Sequence, residues 1–180
     1  MTGPILETER LILRPTELGD FEGWAKFMGD AEASKFIGGP QAPSIAWRGF
    51  LQVAGAWKIQ GFSMFSVVEK ATGQWIGRLG PWFPLDWPGT EVGWGIIPER
   101  QGKGFALEGS IAAMDYAANV LMWNEIVHTI DPDNEPSKAV ARRLGSTILR
   151  QARMPAPYDD RVVDVWGQTR DQWTALRART

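Results

Sequence analysis

The chain has 180 residues, 44% of them hydrophobic and 22% charged, with a net charge of −2. This suits a single globular domain over residues 1–180 with one sizeable core, and it leaves no basic footprint for nucleic acid or an anionic membrane surface. Cysteine is absent and histidine occurs once, which excludes disulfides, a cysteine nucleophile and thiolate or multi-histidine metal sites.

The first ten residues place acids where a signal peptide needs an apolar core, and no run is long enough to span a bilayer. The expectation is a soluble cytoplasmic protein without a metal, as a monomer or homodimer. Around Leu11 and Leu13 apolar and polar residues alternate, so Ile5 to Pro15 reads as one strand. Leu18, Phe21, Trp24 and Met28 stand at helical spacing. Lys35 to Pro43 is a turn-rich loop. Ser44 is placed to cap a second helix running to about Ile59, with Trp47, Phe50, Leu51 and Ala54 on one face.

The period then becomes that of strands. Phe62 to Glu69 and Gln74 to Trp82 are joined by a turn at Gly73. Phe83 to Gly89 carries two prolines and reads as a loop. Thr90 to Ile97 is a third strand, followed by a glycine-rich turn and a helix that begins near Gly104 and reaches Leu121. Glu125 to Ile130 is the next strand. Asn134 fits a helix cap, Pro136 the first turn and Gly145 the stop. Ile148 and Leu149 lie in a short strand, and Val162 to Trp166 forms the last one. Thr169 with Gln172 makes a capping box before a terminal helix. Seven strands and helices on both faces of a mixed sheet follow, an α/β architecture.

The glycine-rich turn at Gln101 to Ala106 is where the chemistry concentrates. It leads from a strand into a helix N-terminus, whose free N–H groups and dipole favour an anion. It is not a P-loop, because Ile97 stands where the first glycine belongs and Gly104 where Ser or Thr belongs. Nor is it a dinucleotide fingerprint, because Leu107 fills the third small position. What remains is Q-x-x-G-x-A, carried by Gln101, Gly104 and Ala106.

That pattern resembles the pyrophosphate loop of the GNAT acetyltransferase superfamily. E-R-Q-G-K-G-F-A-L-E is similar to its central motif. E-T-E-R-L-I-L-R-P is similar to the opening strand of its ribosomal-protein (Rim-type) branch, and D-N-E-P-S-K-A-V-A-R-R-L-G to its second motif. The resemblance covers nearly the whole chain. It implies a mostly antiparallel, twisted sheet splayed between the fourth and fifth strands, and acetyl-CoA as the donor. The function it implies is direct acetyl transfer to a primary amine, either a protein N-terminus or a small amine. The alternative is a catalytically silent acyl-CoA-binding module.

The resemblance also distributes roles. Gln101, Gly102, Lys103, Gly104, Phe105 and Ala106 would wrap the CoA pyrophosphate, with Lys103 either adding charge or merely solvated. Backbone of Ile96 and Ile97 would receive the pantetheine arm and hold the thioester. Asn134 and Ser137 would reach that arm, with Ser137 near the leaving thiolate, although Asn134 also fits a plain cap. Gly93 and Gly95 share a strand face with Glu91, which makes room for either a ligand or a closely packed helix.

An ammonium acceptor must lose a proton, so a base is expected. Glu91, at the start of the central strand, is the first candidate and could equally pair with an arginine. His128 is second, although its alternation with Ile126 and Ile130 suits a core histidine, and Asp131 is third. The acceptor would meet Phe36, Trp47, Trp82, Phe83, Trp87 and Tyr158. With Asp86, Asp159 and Asp160 nearby, these would suit a cationic amine with an apolar part.

Overall fold

The computed structural model describes residues 3–179. Its centre is one eight-stranded sheet in the order β1-β2-β3-β4-β5-β6-β8-β7. The strands are β1 (Leu6–Glu7), β2 (Leu11–Arg14), β3 (Phe65–Glu69), β4 (Trp75–Trp82), β5 (Glu91–Ile96), β6 (Glu125–Ile130), β7 (Thr147–Arg153) and β8 (Val162–Thr169). Every neighbouring pair is antiparallel except β5 and β6, which are parallel and in register at a single pair, Glu91 with Val127.

Eight strands replace the expected seven because Ile5 to Pro15 is not one strand. It folds back on itself, so that Leu6 pairs with Leu13 and Glu7 with Ile12. The Thr8 N–H donates to the Leu11 carbonyl and the Leu11 N–H to the Thr8 hydroxyl. The turn is then fixed from far away, because Glu108 accepts from the Thr8 hydroxyl and from the Arg10 backbone and side chain.

The helices are α1 (Phe21–Gly29), α2 (Ala31–Ser34), α3 (Pro43–Ile59), α4 (Phe105–Asn119), α5 (Glu135–Arg143) and α6 (Arg170–Arg177). Leu18 to Asp20, expected within the first helix, is a 3-10 turn leading into it. Ser44 does not cap α3. The cap is Ala42, and Pro43 takes the first turn, where its fixed φ and missing N–H cost nothing. The capping residues Asn134 and Thr169 do accept from the N–H groups of Ser137 and Gln172.

The two sheet faces carry separate cores. One is built on α4, with Leu11, Leu13, Ile76, Leu79, Val92 and Met114 buried around it. A Cβ at Gly109 would stand 2.5 Å from Leu79 Cδ2, so this helix lies close on β4 because that residue is glycine. The other core joins α1 and α3 through Trp24, Phe27, Phe50 and Val53. Asp20, 4% exposed, anchors that side by accepting from Arg14 Nη1 and Nη2 (2.8 and 2.7 Å), the Ser66 hydroxyl and the Glu17 N–H. Among the described residues no helix is long and apolar enough to cross a membrane.

Candidate active site

The turn before α4 has the form an anion needs. Gly102 (φ +72°) and Gly104 (φ +83°) both occupy left-handed backbone, and Gly104 is the N-cap of α4. A Cβ on Gly102 would meet nothing within 4 Å, so the space beside it is open. Phe105, Ala106 and Leu107 form the first helical turn, whose N–H groups have no intrahelical acceptor. Arg10 braces the turn: Nη1 donates to the Lys103 carbonyl at 3.0 Å and its guanidinium lies 4.4 Å from the Phe105 ring centroid. The Lys103 ammonium donates to the Glu99 carbonyl, 3.1 Å away. This cradle of glycines and free N–H groups fits a pyrophosphate.

Beside the turn the sheet opens. Beyond Glu91 and Val127 no further register pair joins β5 and β6. The carbonyls of Thr90 and Val92 face β6, accepting from the Val127 N–H and from His128 Nδ1. Strand period then turns Trp94 and Ile96 toward the same opening. The Ile96 carbonyl already accepts from Gln101 Nε2 at 2.9 Å, so Gln101 fastens the turn to the strand. Ile97 differs from expectation: it lies past the end of β5, and its N–H donates to the Ile76 carbonyl on the other side. Trp94, which sequence reasoning did not single out, also turns its backbone to the opening. Its parity with Ile96 was the available signal.

The opening widens into a cavity of about 450 Å³ between the sheet and α1 and α3. Glu91, His128, Asp131, Asn134 and Ser137 line it, as do Phe36, Trp82, Trp87 and Tyr158. Phe83 does not; it follows the end of β4 and is exposed. Trp47 packs instead on Phe21 and Phe50. Asp86, Asp159 and Asp160 are exposed and outside the lining. The charges on the wall are mainly cationic: Arg48, Arg78 and Arg161. Sequence reasoning missed all three.

Glu91 is 6% exposed. It accepts from the Trp87 indole N–H, from the Thr129 N–H at 3.1 Å and from the Thr129 hydroxyl. Burial raises its carboxyl above the ordinary range, and these donors oppose the rise. Among the described residues no arginine forms an ion pair with it. His128 is 1% exposed, with Nδ1 2.7 Å from the Val92 carbonyl and Nε2 3.0 Å from the Ser146 hydroxyl. A carbonyl only accepts, so Nδ1 carries the proton and Nε2 accepts from Ser146. Burial lowers its pKa to about 4. The Asp131 carboxylate accepts from the Asp133 N–H.

Of the two glycines on the Glu91 face, Gly95 is explained by a helix: a Cβ there would stand 2.9 Å from the Phe27 ring of α1. At Gly93 it would stand 3.0 Å from Met64 and 3.2 Å from the Glu91 carboxylate, so this glycine leaves the space in which Glu91 lies.

Residues 10–147 match the Acetyltransferase (GNAT) domain family. The chain belongs to the GNAT acetyltransferases. A solved acetyltransferase from Agrobacterium tumefaciens str. C58 is 30% identical with a TM-score of 0.82, covering 93% of this chain and 95% of its own. An uncharacterized N-acetyltransferase of Bacillus licheniformis, p20, is 28% identical over 168 residues, 89% of this chain and 92% of that protein. The fold is shared with a ribosomal-protein-S5-alanine acetyltransferase from Vibrio fischeri (19% identity, TM-score 0.72, 94% of this chain and 98% of that one). GNAT enzymes use acetyl-CoA. The glycine cradle and the parted strands are compatible with that donor.

Proposed function

We propose that this GNAT enzyme transfers an acetyl group directly to a primary amine held in the cavity, a small amine or a protein N-terminus, with Glu91 as the base. The observation that carries this reading is the position of Glu91. Its buried carboxylate lies on the cavity wall at the last register pair before β5 and β6 part, where amine and thioester would meet.

Residues Gly102 to Ala106 hold the pyrophosphate through their N–H groups, and Trp94 and Ile96 offer backbone to the arm that enters the gap. Acetyl-CoA supplies the activated acyl carbon. The acceptor nitrogen bonds to that carbon as the carbon–sulfur bond breaks, and the amine proton passes to Glu91. A burial-raised carboxyl binds that proton better than an exposed one. Gap-facing N–H groups of β5 are the donors for the oxyanion. Ser137, on the wall beside Asn134, is placed to donate to the departing thiolate, a leaving group tolerable without much help because a thiol has a pKa of about 8.5. His128 has both nitrogens engaged and holds β6 to the Val92 carbonyl, which favours Glu91 over it as base.

The test is thiol release from acetyl-CoA with amines, amino acids, polyamines and N-terminal peptides. Turnover with one acceptor class is expected, and its loss in Glu91→Gln. CoA binding by the wild type with no acetylated acceptor across these classes would favour the silent-module reading.

A further inference from the structure

The cavity holds a cation that acetyl transfer by itself does not require. Arg78 stands on β4 opposite Gly95 of β5. Its guanidinium lies 5.2 Å from the Trp24 ring centroid, and Nη1 meets Met64 Sδ at 2.6 Å, a weak acceptor. Nε is buried without a partner. Among the described residues no carboxylate lies within 4.0 Å of it as an ion-pair partner. Burial works against its charge, and Glu91 and Tyr158 offset this from a distance. Buried guanidinium groups ordinarily meet an acid.

The rest of the wall does not supply one. Arg48 and Arg161 add positive charge, against Glu91 and Asp131. Glu91 is held by Trp87 and Thr129, and the Asp131 carboxylate accepts from Asp133. An acceptor arriving as a bare ammonium ion would add to the cationic excess. One that brought its own carboxylate would cancel it. The planar guanidinium fork matches a carboxylate in two parallel hydrogen bonds, and the Trp24 ring lies beside it at 5.2 Å.

The positions set the spacing. Glu91 pairs with Trp82, four residues along β4 from Arg78, roughly 13 Å of strand. Both side chains point to the same face and shorten that span from either end. Met64 lies near both, touching Arg78 and the Gly93 position beside Glu91, and Trp24 and Val53 add apolar lining to the same cavity.

We propose that Arg78 binds a carboxylate of the acceptor, so that the substrate is an amino-acid-like zwitterion with an apolar side chain, its amine toward Glu91 and its carboxylate toward Arg78. This rests on the amine-transfer reading above for the reaction, but not for the anion site.

The experiment compares matched acceptors, phenylalanine, phenylalaninamide and phenethylamine, with the leucine set beside them, by thiol release from acetyl-CoA. The acid should exceed its amide and its decarboxylated amine in kcat/KM by at least about a hundredfold, because a site built for a charged group rejects analogues that lack it. In Arg78→Met that ratio should fall to within about threefold of unity, and Arg78→Lys, charged but without the fork, should lie between. Equal use of all three by the wild type, preference for N-terminal peptides over free amino acids, or an undiminished ratio in a folded Arg78→Met would overturn the proposal. Calorimetry with N-acetyl-phenylalanine separates the two readings. Binding that weakens tenfold or more in Arg78→Met, with no acceptor acetylated, would sink amine transfer and leave the carboxylate site standing. Neither turnover nor binding of any carboxylate would sink the site as well. A CoA-induced rise in melting temperature confirms that each variant is folded.

Discussion

Thr129 of β6 donates both its backbone N–H and its hydroxyl to the carboxylate of Glu91 on β5. These bonds span the two strands two residues beyond their only register pair, Glu91 with Val127. The carboxylate is therefore oriented at the place where the sheet opens. Burial nevertheless leaves its proton affinity raised. A group so arranged is fixed in position and more basic than an exposed glutamate.

Glu91→Gln keeps the shape and removes the base. Turnover should fall by about 10²–10⁴-fold, most at low pH, where the acceptor arrives as ammonium, and less at high pH, where free amine is abundant. A pH–rate profile parallel to that of the wild type would remove Glu91 as the base. Stability should move the other way. The folded pKa lies above the unfolded value, so the native state binds the proton more tightly; the stabilisation is present below the ordinary glutamate range and lost as pH rises through the folded pKa. The variant should therefore melt no lower than the wild type at neutral pH.

Gly102→Ala tests the cradle without a clash in the protein, since the added Cβ meets nothing within 4 Å. The left-handed backbone there costs a non-glycine residue about 1–2 kcal/mol. CoA affinity, measured by calorimetry, should fall at least about tenfold, because the methyl occupies space a phosphate would need. Gly104→Val, at the N-cap, should lose measurable binding altogether. Unchanged affinity in both folded variants would mean that the anion sits elsewhere.

What could be read in the sequence was what short-range chemistry decides. Asn134 and Thr169 cap their helices with bonds to residues three positions away. Gly102 and Gly104 turn the chain as their type allows. Partners distant in sequence decide the rest. Glu108 holds the Thr8–Arg10 turn from 98 residues beyond Arg10, so one strand became two. Arg78 resembles an outward-facing arginine in an ordinary alternating strand. Only its contacts with Trp24 of α1 and with Met64 show that it turns into the cavity. Asp86, Asp159 and Asp160 sit in the right loops, but nothing in their order tells which way a loop turns its side chains.

The Asp20 cluster fastens β2 and β3 to the start of α1. Burial alone would raise the Asp20 carboxyl, but Arg14, the Glu17 N–H and Ser66 outweigh it and hold the pKa below the ordinary value. Its stabilising effect is thus present above the unfolded pKa and lost as pH falls through the folded one. Asp20→Ala leaves Arg14 half-buried without its acid and should lower stability by about 3 kcal/mol. Denaturant unfolding at pH 7 measures this. A loss below about 1 kcal/mol would show the pair to be no stronger than an exposed one.

His128 gives the last test, because it is the chain's only histidine and its imidazole resonances need no assignment. A chain of hydrogen bonds runs from Gln168 to the Ser146 hydroxyl, to His128 Nε2, and from Nδ1 to the Val92 carbonyl. Protonating Nε2 would turn an acceptor into a second donor facing a hydroxyl that already receives from Gln168. It would also place charge in a site 1% exposed, which is why burial lowers the pKa from 6.5 to about 4. The unfolded chain therefore binds a proton that the native state refuses between those values, and stability falls as pH drops through the window. A shift of that size corresponds to roughly 3 kcal/mol. NMR of the imidazole should show no titration from pH 8 to about 5, and His128→Gln should flatten the acid limb of the stability curve. A histidine that titrates near 6.5 in the folded protein would mean that the ring is reached by water, and would return it to contention as the base.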